Sequence, residues 1–127
     1  MNVTNDSLLV SSLVGFDAQE WLETNVALID DDNNLILIQH EYPGVVQGHY
    51  FLTTAKGRKA IELTEKAFQF IFNRLHHQLV FALPLVINKK AVWMCRQVGF
   101  TSYGTVDTPQ GLCEMFILHR KDYKWAA

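Results

Sequence analysis

The sequence predicts an α/β fold, a mixed, mostly antiparallel sheet flanked by helices. Three observations predict it. Leu79–Ile87 (LVFALPLVI) is an unbroken apolar run, the pattern of a strand covered on both faces. That run passes directly into Asn88-Lys89-Lys90-Ala91 and a short amphipathic stretch closed by Gly99-Phe100, which reads as strand, helix and return strand with almost no loop. Earlier in the chain, Asp30-Asp31-Asp32-Asn33-Asn34 separates two short apolar stretches and has the composition of a hairpin turn.

In chain order, residues 5–24 carry a weak helical pattern through Leu8, Leu9, Leu13, Phe16, Trp21 and Leu22, with Gly15 a break. Val26–Ile29 and Leu35–His40 are predicted strands, and Tyr42-Pro43-Gly44 a second turn. His49–Thr53 is predicted as the third strand. Arg58–Arg74 is the clearest helix, because Ala60, Ile61, Ala67, Phe68, Ile71 and Phe72 recur on one face. Asn88 is a suitable N-cap for the helix 88–98, since its side chain can accept a bond from an orphan amide. Ala91, Val92, Cys95 and Val98 form that helix's apolar face, and Gly99 sits where a left-handed residue commonly ends a helix. Thr101–Val106 and Leu112–His119 complete the sheet around a turn at Thr108-Pro109-Gln110-Gly111.

The 127 residues are the size of one domain, 1–127, and 49% hydrophobic against 19% charged is enough to bury a core. A net charge of −2 gives no general attraction to nucleic acid or anionic membrane. Cys95 and Cys113 are not in a CxxC pair and read as reduced thiols. MNVTNDS lacks the basic start and apolar centre of a signal peptide, and the longest apolar run contains Pro84, so a soluble, cytoplasmic protein is expected.

Chemistry concentrates at the turn Thr53-Thr54-Ala55-Lys56-Gly57-Arg58-Lys59-Ala60. A strand that delivers amides to a helix N-terminus makes an anion site from unpaired N–H groups and the helix dipole. Gly57 permits close backbone approach, and Lys56, Arg58 and Lys59 add positive charge, so a pyrophosphate is a natural guest. A solvated basic first turn has the same composition.

Taken together, the turn and the Asn88–Phe100 stretch resemble the cofactor motifs of the GNAT N-acetyltransferase superfamily. Lys56-Gly57-Arg58-Lys59-Ala60-Ile61 is similar to the family's glycine-rich pyrophosphate turn, with the first glycine kept and Lys59 and Ile61 at the other glycine positions. Asn88, Ala91 and Gly99-Phe100 match the second motif, and short acyltransferase-like proteins of tailed phages show a similar start and finish, which suggests a phage or prophage origin. The resemblance covers about 100 residues, 26–127, as an acyl-CoA-binding core behind a short helical segment, 1–25. It implies acetyl-CoA, or another acyl-CoA, as cofactor and a V-shaped opening between the strands 49–53 and 79–87. Pantetheine would pair with main-chain groups near Phe51, Leu52 and Thr53. Lys56, Gly57, Arg58, Lys59 and Ala60 would hold the pyrophosphate, and Asn88 would border the cleft. The implied activity is acyl transfer to an amine of a small molecule or a protein. A homodimer or a protein partner is compatible with it.

Amine acyl transfer needs a deprotonated amine and a proton for the leaving thiolate. His49 and Glu41 are the candidate bases, although a strand histidine and a loop carboxylate often have no such role. Many family members carry a tyrosine seven residues after the Asn to protonate the departing thiolate; here that position is Cys95. Cys95 is either that acid or a buried structural thiol, and Tyr103 is a second candidate donor. The rival reading is a non-catalytic interaction protein on the same scaffold, such as a phage structural or host-takeover factor.

Two metal patterns are set aside. Asp30, Asp32, Asn34 and Glu41 match an EF-hand loop at four positions, but Leu35 replaces its glycine. His76 and His77 are adjacent, and His40, His49 and His119 are scattered, without ligand spacing for zinc.

Overall fold

A computed structural model describes residues 1–126. One seven-stranded sheet organises them, in the order β1-β2-β3-β4-β5-β7-β6. The strands are β1 (Asn2–Thr4), β2 (Val26–Ile29), β3 (Leu35–Tyr42), β4 (Val45–Phe51), β5 (Leu79–Ala82), β6 (Thr101–Thr108) and β7 (Gly111–His119). Every neighbouring pair is antiparallel except β4 and β5, which run parallel. The mixed, mostly antiparallel sheet predicted from the sequence is therefore the sheet observed.

Three helices flank it: α1 (Ser7–Val14), α2 (Arg58–Gln69) and α3 (Lys89–Gln97). Successive residues of a strand face opposite sides. On one side Ile36, Ile38, Val46 and Val80 pack with Ala60, Leu63, Ala67 and Phe68 of α2. On the other, Leu35 and Leu37 pack with Val10 of α1, with Ala18 after it and with Ala27 of β2. Leu35–Ile38 is thus buried on both faces, as a central strand must be. α2 continues through a π-helical turn, Phe70–Arg74, where Leu75 N–H donates to the Phe70 carbonyl at 2.9 Å; the turn keeps Ile71 and Phe72 in the core.

Several boundaries differ from the sequence expectation, β3 reaching Tyr42 and β6 Thr108 among them, and three have a local reason. β1 pairs with β2 although Asn2–Thr4 is too short and polar to show strand periodicity. The third strand is Val45–Phe51 and not His49–Thr53, because the amides after Leu52 turn away to a side chain, Asn34. The strand read as Leu79–Ile87 stops at Ala82. Pro84 has no N–H to give a ladder. Its carbonyl instead accepts from Glu114 N–H at 3.0 Å, and Val86 N–H donates to Leu112 O at 2.9 Å, so the chain leaves β4 and follows β7.

Candidate functional site: the cleft between β4 and β5

The parting of the two parallel strands makes the site. β4 and β5 hold three register pairs, Val45 with Leu79, Val46 with Val80 and Gln47 with Phe81. Beyond Gln47, β4 continues to Phe51 with β3 on one side only, while β5 ends. A cleft of about 550 Å³ opens there. One wall is Gln47–Phe51; the other is Ala82–Pro84 with Asn88, Ala91 and Cys95 at α3, and Thr108–Gln110 with Cys113 border it. The unpaired edge of β4 offers backbone groups to an extended guest.

β4 leads from this cleft into the turn 53–57 and α2. Gly57, at φ +56° and ψ −131°, precedes the first helical residue, a conformation that favours glycine. Among the described residues, no acceptor takes the amides of Gly57, Arg58, Lys59 or Ala60, and no acidic side chain lies in the first turn of α2. Lys56 is the first lysine or arginine of the chain, and Lys56, Arg58 and Lys59 are all exposed. Ala60 is buried beneath them, which lets the helix sit close to the sheet. None of Lys56–Ala60 lines the cleft itself; they follow its wall, β4, in the chain, and an uncapped, basic helix N-terminus is suited to a phosphate group.

The preceding amides are not available in the way the sequence suggested. Asn34 Oδ1 accepts from the N–H groups of Thr53, Thr54 and Ala55 at 2.9, 3.0 and 3.0 Å. Thr53 Oγ1 donates to the Asp32 carbonyl at 2.7 Å. Thr53 is therefore committed to the β2–β3 turn, and Leu52 packs against the core of α2. Of the three residues expected to pair with pantetheine, only Phe51 lines the cleft. The same network accounts for the acidic turn: Asp30 accepts from the amides of Asp32 and Asn34 and from Asn34 Nδ2. These bonds hold its carboxyl below the usual range against the opposing effect of burial, the largest single influence on it.

The catalytic candidates are distributed unevenly. His49 lines the cleft, and its Nε2 is buried without a partner among the described residues. Burial lowers its pKa, with Glu41 acting in the opposite sense. Glu41 itself is exposed and accepts from Gln39 Nε2 at 2.6 Å. Asn88 borders the cleft and caps α3, accepting from Ala91 N–H at 3.2 Å. Cys95 reaches the cleft lining but is 1% exposed, and its thiol is pushed up to about 12 by burial first and by Glu114 second. A thiol that resists ionisation is a poor proton donor to a thiolate of ordinary pKa about 8.5. Tyr103 is exposed on β6 and is not part of the cleft wall. Sequence reading missed Tyr50, which lines the cleft with its hydroxyl 3.1 Å from Thr64 Oγ1. It looked like one more aromatic residue in a strand.

No protein-family model matches the chain, and no curated protein is similar to it. Solved structures are. Aminoglycoside acetyltransferase AAC(6')-Ib in complex with coenzyme A is 18% identical at a TM-score of 0.69, over 94% of this chain and 87% of that one. The same enzyme with paromomycin and acetyl-CoA gives 15% and 0.69 over 89% and 75% of the two chains. A mutant of the spermidine N-acetyltransferase SpeG from Vibrio cholerae gives 15% and 0.64, over 80% and 68%. At these identities the likeness is one of fold: the chain has the GNAT fold of these acetyltransferases.

Proposed function

We propose that the protein binds acetyl-CoA, or another acyl-CoA, between β4 and β5 and transfers the acyl group to an amine. The observation that carries this reading is the succession of three features along the chain: a cleft opened by parting strands, an unpaired edge on β4, and, after the turn 52–57, an uncapped basic helix end. Pantetheine would lie along Gly48–Phe51, and the pyrophosphate would meet the amides and cations at the start of α2. Acetyl-CoA supplies the thioester. His49 would take the amine proton, directly or through water, as the C–N bond forms and the C–S bond breaks; its unpartnered Nε2 and lowered pKa support that role. The proton for the thiolate comes from solvent in this scheme, because Cys95 is a weak acid and Tyr103 lies outside the cleft wall.

The solved structures of similar fold act on an aminoglycoside and on spermidine by name, which makes small polycationic amines the first acceptors to try. The test is calorimetry with acetyl-CoA, then thiol release against polyamines, aminoglycosides and peptides. Binding with acceptor-dependent release is expected; no CoA binding at millimolar concentration would overturn the reading. The thiol of Cys95 favours a second reading, an interaction protein that keeps the cleft without the chemistry. Tight CoA binding with no release above hydrolysis would support it.

A further inference from the structure

Asn34 is 0% exposed and stands at the entry to β3, yet all its bonds beyond the β2–β3 turn go to the loop between β4 and α2. Its Oδ1 collects three successive amides, those of Thr53, Thr54 and Ala55. Its Nδ2 donates to Asp30 Oδ2 at 2.9 Å and to Thr54 Oγ1 at 3.1 Å. Both hydrogens and the oxygen are engaged, so the side chain has one orientation. Successive amides wrapped around one oxygen form the concavity that usually receives an anion. Here a carboxamide from the neighbouring turn already fills it.

We propose that Asn34 is the positioning residue of the diphosphate site. The inference rests on the acyl-CoA reading and sharpens it. By satisfying 53–55 from within, Asn34 fixes the curl of the loop and moves the vacant anion-binding amides forward to Gly57–Ala60. The diphosphate then meets the start of α2 and not the turn before it. Asp30 completes the device, since its carboxylate accepts from Asn34 Nδ2 and so selects which end of the amide faces the loop.

The polarity of this arrangement supplies its own test. Asn34→Asp keeps an oxygen toward the three amides but sets a second carboxylate against Asp30 and loses both Nδ2 bonds. Combining it with Asp30→Asn reverses donor and acceptor and restores the bridge, with net charge unchanged from wild type. Calorimetry should show CoA binding weakened at least about tenfold in Asn34→Asp and returned to within about threefold of wild type in the double variant. Phosphorus NMR of bound CoA should show the diphosphate resonances displaced in the single variant and restored in the double. Urea midpoints, read in parallel, separate this from simple loss of fold, because unfolding lowers the active fraction without moving the resonances of bound ligand. Equal CoA affinity in wild type and Asn34→Asp, or a double variant no better than the single, would overturn the role of Asn34 alone. Wild-type protein that binds no CoA would overturn the function proposed above instead.

Discussion

His40 and His77 face each other across 37 residues of chain with their Nε2 atoms 3.0 Å apart. His40 Nδ1 is 3.0 Å from the Thr24 carbonyl, which can only accept, so Nδ1 carries the hydrogen and the neutral ring offers Nε2 as an acceptor. His77 must then donate from its Nε2. The sequence placed these histidines in unrelated segments; β3 and the loop before β5 bring them together edge to face, with centroids 4.9 Å apart.

Burial, together with this pairing, gives stability a pH dependence. Burial first and His40 second lower the pKa of His77 from its ordinary 6.5, and burial lowers that of His49. The native state therefore binds fewer protons than the unfolded chain near those values. Stability is full above 6.5 and falls as pH drops below it, since unfolding takes up protons. Urea midpoints should decline between about pH 7 and pH 5, and His77→Gln should flatten the decline. A midpoint that rises on acidification would contradict the pairing. Asp30, with its lowered pKa, acts only near and below 3.8, outside this window.

At the start of α2, Gly57→Val has open space around the added Cβ but must hold φ +56°. Its effect should fall on the turn, with CoA binding reduced and a stability loss of about 1–2 kcal/mol. Neutralising Lys56, Arg58 and Lys59 together should leave stability nearly unchanged, weaken CoA binding and flatten its salt dependence. Calorimetry at two ionic strengths checks both; unchanged affinity in the triple variant would remove the cations from the site.

The end of α3 gives a prediction about folding. Phe100 N–H donates to the Cys95 carbonyl at 3.2 Å across Gly99, which has φ +99°. The turn delivers the Phe100 ring to Phe68, edge to face at 5.3 Å. In Gly99→Val the added Cβ meets no atom within 4 Å, so the expected cost is backbone strain, about 1–2 kcal/mol. Phe100→Ala should cost about 3 kcal/mol, near the lower end for a large aromatic because the ring is only partly buried. Urea denaturation of the two variants decides it.

What could be read in advance follows from the range of the interactions. Asn88, Gly99 and the face of α2 are local signals, in which cap, stop and periodicity lie within a few residues of one another. The cap at Asn88 and the helix stop at Gly99 are where the sequence placed them. The Asn34 network was not legible, because its partners lie 19 to 21 residues away and its residue type is as ordinary in a turn as anywhere. The end of β5 was readable in principle from Pro84, and the apolar run masked it. Cys95 shows the limit in another way: spacing gave its position on the helix, while its acidity depends on burial and on Glu114, 19 residues further along the chain.

The chemistry separates His49 from Cys95. With His49 as base, the neutral ring is the active form, and its lowered pKa keeps it neutral at pH 7. Acetyl transfer should then fall on the acid side, below the ordinary 6.5, and rise again at higher pH only as the acceptor amine loses its proton. His49→Gln should lower kcat about 10²-fold with CoA affinity nearly unchanged and should abolish the acid limb of the profile. Cys95→Ser tests the opposite assignment. A thiol near 12 contributes packing rather than a proton, so turnover per folded molecule should stay within about threefold of wild type while the urea midpoint drops, because a hydroxyl replaces a buried sulfur. Both variants are read by thiol release from acetyl-CoA with a saturating amine, beside a denaturation curve for each. A large loss of kcat in Cys95→Ser with stability intact would return the acid's role to Cys95, and an unchanged pH profile in His49→Gln would remove His49 from the reaction.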